Sequence, residues 1–188
     1  GSLQIDIDLI DPSPFQPRIR FAEAALEELA QSIRSSGIIQ PLVVRRVGAR
    51  YQLIAGERRW RASQRAQLLR VPAVLREVGD EQALELMLVE NIQREDLNPI
   101  EQARAFQRLI DQFHLTQDEV ATRTGKDRAT VANSVRLLML DETLLEWIEE
   151  GKITAGHGRA LLAIEDHKLR FQVAQNASRG KLTVRQVE

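Results

Sequence analysis

The chain contains no cysteine, which excludes disulfides, thiolate metal sites and thiol nucleophiles together. The lack agrees with a reducing compartment, and a cytoplasmic protein is the expectation. Aromatic residues make up only 4% of the 188 positions. A core must therefore rest on Leu, Ile, Val and Ala, a composition that favours helices. No run of 18 or more apolar residues occurs, so no membrane-spanning helix is expected. No secretory signal opens the sequence, and Gly1-Ser2 reads as a cloning remnant, with the natural N-terminus expected upstream. Charge of one predominant sign is missing as well. The net charge is −1, and from Leu115 onward eleven Lys or Arg stand against eleven Asp or Glu. If this half binds nucleic acid, it does so through a local patch and base contacts rather than a basic field. None of the three Gly-Lys pairs is followed by Ser or Thr, which excludes a P-loop NTPase.

What is present divides into an α+β region, 1–97, and a helical region, 98–188. Leu3, Ile5 and Ile7 alternate with polar residues, which predicts a half-buried strand ending at Asp11-Pro12. Residues 12–17 hold three prolines and form a loop. Leu26, Leu29 and Ile33 mark a helix over 22–36, closed by Gly37. Strands over 41–44 and 51–55 flank Gly48 as a hairpin. A helix follows Gly56 to about Leu69, a strand covers 71–78, and a buried helix covers 81–94. Asn98-Pro99-Ile100-Glu101 is a helix start with Asn as N-cap and Pro at the first position. Thr116 with Glu119 is a capping box. Asp127 caps a helix over 128–140, and Asp141 one ending near Gly151. Two more helices span about 154–163 and 166–178. Thr183 and Gln186 begin a further capping box, so the chain is expected to continue.

Three clusters carry chemistry. The helix over 117–124, the Gly125-Lys126 turn and the helix over 128–140 have helix-turn-helix proportions. Val120 and Ala121 on the first face Val131, Val135 and Leu138 on the second. Arg128, Thr130 and Asn133 then lie where side chains reach phosphates or base edges; a plain helical hairpin is the competing reading. The second cluster is Gly56-Glu57-Arg58-Arg59-Trp60-Arg61. A glycine at a strand-to-helix junction lets backbone N–H groups approach an anion. Arg58, Arg61 and Arg65 share a helical face with Ala62 and Leu69, so they are expected to look partly inward, where arginine needs an anion. A solvated face is the alternative. The third is Glu90-Asn91-Ile92-Gln93-Arg94, either an i,i+4 surface pair or oxygen ligands for Mg²⁺ beside a phosphate-binding arginine.

Together with these, Pro14-Phe15-Gln16-Pro17-Arg18 and Gly37-Ile38-Ile39-Gln40-Pro41-Leu42 resemble boxes of the ParB partition family, in its order and spacing. Gly125-Lys126-Asp127-Arg128 and Gly156-His157-Gly158-Arg159-Ala160-Leu161-Leu162 are similar to its DNA-binding segments. The resemblance covers nearly the whole chain. It implies a ParB/sulfiredoxin-like N-terminal domain followed by an all-α helix-turn-helix domain. It implies slow, DNA-stimulated hydrolysis of CTP with Mg²⁺. Gly56, Glu57, Arg58, Arg59 and Arg61 would hold the phosphates, Glu90 and Asn91 the metal, and Arg94 a further phosphate contact. Ile39, Gln40 and Pro41 would present backbone groups to cytosine, Gln16 and Arg18 would sit by the γ-phosphate, and Gln16 and Glu57 would aid hydrolysis. Lys126, Arg128, Thr130, Asn133, Gly156, His157 and Arg159 would contact a parS-type DNA site.

The family picture is a sliding clamp on the nucleoid, self-associating through a CTP-dependent N-terminal gate. Its partners are a ParA-type ATPase and SMC/condensin, reached through segments expected outside this chain. Sulfiredoxin chemistry is excluded by the missing cysteine. A Noc-type nucleoid-occlusion factor shares the pocket, with a membrane helix that would precede residue 1; a plain helix-turn-helix regulator would lack nucleotide activity. Ile100, Phe106, Leu109, Ile110 and Phe113 offer so much apolar surface that part of it is expected to be shared between two protomers once nucleotide orders it; burial of all five within one protomer is the alternative.

Overall fold

The computed structural model describes residues 1–15, 23–38, 40–93, 97–180 and 182–188. It divides into two compact units, Gly1–Gln93 and Arg94–Glu188.

The first unit is a five-stranded sheet with helices on it. Strands β1 (Leu3–Asp6), β2 (Ile10–Asp11), β3 (Leu42–Val47), β4 (Arg50–Ala55) and β5 (Arg70–Leu75) lie in the order β1-β5-β3-β4-β2. The single N-terminal strand expected from the alternation is two, because a 3-10 turn at Ile7–Leu9 interrupts it. The turn is fixed where the Ile7 N–H donates to the Leu69 carbonyl at 3.0 Å. It sends β1 to one edge of the sheet, antiparallel to β5, and β2 to the other, parallel to β4. Four strand spacings in a flat sheet span about 19 Å, whereas the four-residue step from Asp6 to Ile10 reaches about 14 Å at most. The sheet must curl.

Alternation along the strands sorts the core. Ile5, Leu42, Val44, Leu53, Val71 and Ala73 gather on one face with Ile7, Ile10 and Trp60. Ile54, one residue on from Leu53, faces the other way and packs with Ala83, Met87, Val43 and Phe15. Ala83 and Met87 belong to α3 (Asp80–Ile92), of which Ala83, Met87, Leu88 and Ile92 are buried. The continuous apolar run therefore buries one face rather than the whole helix. Helix α1 (Glu23–Ser36) packs Ala30 and Ile33 against Ala62 of α2 (Glu57–Arg65). Helix α2 is shorter than expected. Gln67 adopts φ 60°, and Leu69 lies beyond the helix at 83% exposure, so it shares no buried face with the arginines.

The second unit is helical throughout its described residues. It comprises α4 (Pro99–Phe113), α5 (Gln117–Thr124), α6 (Arg128–Leu137), α7 (Glu142–Glu149), α8 (Ala155–Leu161), α9 (His167–Ser178) and α10 (Val184–Val187). Asn98 accepts from the Ile100 and Glu101 N–H groups, and Thr116, Thr154 and Thr183 each sit in a reciprocal capping box. Such caps stabilise a helix by about 1 kcal/mol. Asp127 and Asp141 occupy N-cap positions without capping through their side chains. Asp141 instead accepts from His167 at 2.8 Å and pairs with the buried Arg170 at 3.5 Å.

Ile100, Phe106, Leu109 and Phe113 are all buried and Ile110 is half-buried. The apolar face of α4 is thus satisfied within one chain, against α5, α6 and α7, and needs no second protomer to cover it. No helix among the described residues is long and apolar enough to cross a membrane.

Candidate functional site

In the first unit the site forms where β4 turns into α2. Gly56 stands at that junction with φ 103°, a conformation that glycine adopts without strain. A Cβ there would lie 2.7 Å from Leu42 Cδ2 and 3.2 Å from Arg59 Nη2. Glycine at this turn thus lets the Leu42 side chain and the Arg59 guanidinium approach the backbone more closely than any side chain would allow.

Arg59 crosses from α2 to the segment before β3. Its Nη1 donates to the Gln40 carbonyl at 2.6 Å and to the Pro41 carbonyl at 2.9 Å. Burial lowers its pKa from the ordinary arginine value, opposed by the charge of Glu90 at the C-terminal end of α3. Nε and Nη2 make no hydrogen bond to any described residue. Sequence spacing had pointed to Arg58, Arg61 and Arg65 as the inward stripe. In the structure Arg58 is exposed, and Arg65 is held by Glu23 and Glu27 of α1. Arg61 and Arg65 are half-buried as expected, and Arg59, outside the stripe, is half-buried too.

Arg61 Nε donates to Glu57 Oε1 at 2.8 Å. The other carboxylate oxygen, Glu57 Oε2, is buried without a hydrogen-bond partner among the described residues. A buried carboxylate oxygen without a donor is costly, so the position is suited to a donor that arrives with a ligand. Glu90 is exposed and Asn91 half-buried. Among the described residues no three His, Asp or Glu side chains gather as a metal cluster. Gln16, Arg18, Ile39 and Arg94 lie outside the described residues. Phe15, next to Gln16, packs beneath α3 with Met87 and Ile54.

In the second unit α5 and α6 meet at a glycine turn. Gly125 has φ 70°, and the Lys126 N–H donates to the Ala121 carbonyl at 3.0 Å. Val120, Ala121 and Val131 are buried between the helices, whereas Val135 and Leu138 are half-buried and Leu137 is the buried residue at the end of α6. Lys126, Arg128, Thr130 and Asn133 are all exposed. Arg128 lies 3.5 Å from Asp118 with both side chains 69% exposed, an ion pair of little weight that leaves the guanidinium available.

The segment 156–159 divides its work. His157 Nδ1 accepts from the Thr154 N–H at 3.1 Å, and Nε2 lies 3.1 Å from the Leu182 carbonyl. Both ring nitrogens are engaged within the unit. Gly156 is packed so closely that a Cβ would meet Val184 at 2.9 Å. Of the three candidates there, Arg159 is the exposed one. Sequence reasoning missed Gly158 between them, whose Cβ would lie 2.8 Å from Ile148 and 3.0 Å from Leu137 and Leu140. It lets α8 pack onto the end of α6.

The class defined by these two units is an α+β unit, with a glycine turn beside an inward arginine, joined in one chain to a helix-turn-helix unit. Residues 2–92 match the ParB N-terminal domain and residues 95–188 the ParB HTH domain. Over 188 residues, all of this chain and 69% of the relative, the sequence is 52% identical to the chromosome-partitioning protein Spo0J of Thermus thermophilus. It is 50% identical, across 98% of this chain and 63% of the relative, to a probable ParB of Coxiella burnetii. The solved structure of a C-terminally truncated ParB from Caulobacter crescentus, complexed to the centromeric parS site, superposes with a TM-score of 0.85 at 40% identity. That match covers 100% of this chain and 97% of that one. The chain belongs to the ParB family of chromosome-partitioning proteins, and spans about two thirds of the length of these curated relatives.

Proposed function

We propose that the second unit binds parS-type double-stranded DNA and that the first unit binds CTP with Mg²⁺ and slowly hydrolyses it. Nucleotide occupancy would then convert loading at the DNA site into a clamp that slides along DNA during chromosome segregation. One observation carries the nucleotide reading. Arg59 joins the Gln40-Pro41 carbonyls, the Gly56 turn and the charge of Glu90. Three segments distant in sequence thus meet at one cation with donors to spare.

The residues fit the ligand. The Gly56 turn and the start of α2 suit an anion, and arginine forks suit phosphate. Mg²⁺ uses one or two protein oxygens besides phosphate oxygens and water, which Glu90 and Asn91 can supply without a larger cluster. The bound ion would neutralise phosphate charge. Glu57 Oε2 is the free acceptor that would orient a water, and Gln16 is proposed beside it. Arg18, Ile39 and Arg94 complete the set by family resemblance. Gln40 and Pro41 offer carbonyls to the base, and Arg58 and Arg61 reach the phosphates.

On DNA, Arg128, Thr130 and Asn133 read base edges while Lys126 and Arg159 meet phosphates; Gly156 and His157 shape the start of α8. Self-association through a CTP-dependent gate, and contacts with a ParA-type ATPase or SMC/condensin, belong to the same proposal. Since α4 is covered within its own chain, the gate has to use other surfaces or a repacked α4.

Isothermal titration with CTP, UTP, ATP and GTP in Mg²⁺ tests the nucleotide reading. CTP binds selectively if it is right, and phosphate release rises with parS duplex. Equal affinity for all four, or none, leaves a plain helix-turn-helix regulator.

A further inference from the structure

Resting on the nucleotide reading above, we infer that Arg59 is a specificity-determining residue, which holds the Gln40 and Pro41 carbonyls as acceptors for an amino-bearing base. The assignment follows from where its donors go. One nitrogen, Nη1, is shared between two successive carbonyls at 2.6 and 2.9 Å. Nη2 lies against the Gly56 backbone, close enough that a Cβ there would touch it at 3.2 Å. The planar guanidinium thus has one edge on the loop and the other at the anion-accepting turn.

Each carbonyl oxygen has two lone pairs. With one directed at Arg59, the second has a fixed direction and accepts an N–H. The 4-amino group of cytosine donates to such acceptors, whereas uracil places an oxygen at the same position. Two carbonyl dipoles aimed at an oxygen repel it, and sites built to hydrogen-bond a substrate group reject the analogue lacking it. Residues 40 and 41 precede β3 and stand outside any helix or strand of the unit. No hydrogen bond to another described side chain fixes their carbonyls, so Arg59 is what orients them. Phosphate on the far edge of the guanidinium would immobilise it further and sharpen the choice of base.

Lysine keeps the charge but lacks the planar fork. The test is titration of the parent chain, Arg59→Lys and Arg61→Lys with CTP and with UTP in Mg²⁺. Arg59→Lys should lower the ratio of UTP to CTP dissociation constants about tenfold, the worth of one good hydrogen bond. Arg61→Lys, which loses a contact to Glu57, should weaken both nucleotides by one common factor. An unchanged ratio in Arg59→Lys, with the parent selective, overturns the role of Arg59 and leaves the nucleotide reading intact. A parent that does not prefer CTP overturns both.

A measurement on the parent keeps the inference exposed if Arg59→Lys does not fold. In nucleotide-free protein the ¹⁵Nη signals of Arg59 should be split by hindered rotation, as two held carbonyls require; averaged signals overturn it. The carbonyl ¹³C resonances of Gln40 and Pro41 should move in Arg59→Lys and stay in place in Arg58→Lys. Unmoved resonances in Arg59→Lys overturn it as well.

Discussion

The two candidate sites present their polar side chains in opposite ways. In the first, Arg59, Arg61 and Arg65 are each engaged by protein acceptors, and Arg59 is half-buried. In the second, Lys126, Arg128, Thr130 and Asn133 project into solvent. A small ligand surrounded on several sides gains from groups already aligned, because ordering them on binding lowers affinity. A duplex is read from outside by side chains that must be long and unobstructed. Partner engagement therefore suits the ligand proposed for the first unit, and exposure the duplex proposed for the second.

The contrast is most open to attack at Gly56. Gly56→Ala puts a non-glycine residue at φ 103° and a Cβ 2.7 Å from Leu42. Backbone strain and overpacking each cost on the order of 1–3 kcal/mol, so melting of the first unit should fall and nucleotide affinity should collapse. DNA binding by the second unit should survive. Loss of both together would mean that the two sites are not built independently.

Arg128→Ala comes next. Removing one bidentate base contact weakens binding by about 1–3 kcal/mol, while CTP affinity should hold. Gel-shift titration with parS and a scrambled duplex separates the two outcomes, and equal affinity for parS with and without Arg128 would reassign the reading helix.

Gly158→Ala should destabilise the second unit by about 1–3 kcal/mol, since the new methyl meets Ile148, Leu137 and Leu140 at 2.8 to 3.0 Å. Calorimetry should show that loss with the exposed side chains of α6 untouched. Thr116→Ala removes a capping box at the start of α5 and should cost about 1 kcal/mol.

The smallest effect is electrostatic. A hydrogen bond from Arg50 holds the Asp11 carboxyl below its usual pKa. A carboxyl whose folded pKa is depressed stabilises the fold above its unfolded pKa, and that contribution fades as pH falls through the folded value. Asp11→Asn should therefore flatten the acid limb of stability slightly below about pH 4 and change nothing near neutrality. Thermal melts across an acid series provide the check.

Legibility in the sequence followed the range of the interaction. Asn98, Thr116 and Thr183 were legible as caps because their partners lie within three residues. Asp127 and Asp141 have the same residue type and the same position, yet neither caps; Asp141 is drawn to His167 and Arg170, which the fold brings from 26 and 29 residues away. Helix spacing placed Arg65 beside Arg58, but the carboxylates of α1 decide where it points. The strand-to-helix junction at Gly56 was legible from its glycine. The attachment of Arg59 to Gln40 and Pro41 was not, because it joins side chain to backbone across 18 and 19 positions and leaves no trace in residue type. The 3-10 break at Ile7–Leu9 was hidden for a related reason: Ile7 is buried as the alternation demands, while its N–H is taken by Leu69.

That break has a bearing on colloidal behaviour. Both outer strands of the sheet come from the first eleven residues, one on each side of a three-residue turn. The segment works as a hem, folded over the two margins at once. β1 is four residues long and β2 only two, and short outer strands are poor templates for recruiting another chain. Without the hem, β5 and β4 would become the margins, each with six residues of unpaired ladder on its outer side. A chain starting after Asp11 would therefore be expected to stack edge to edge into insoluble assemblies before either binding site failed on its own account.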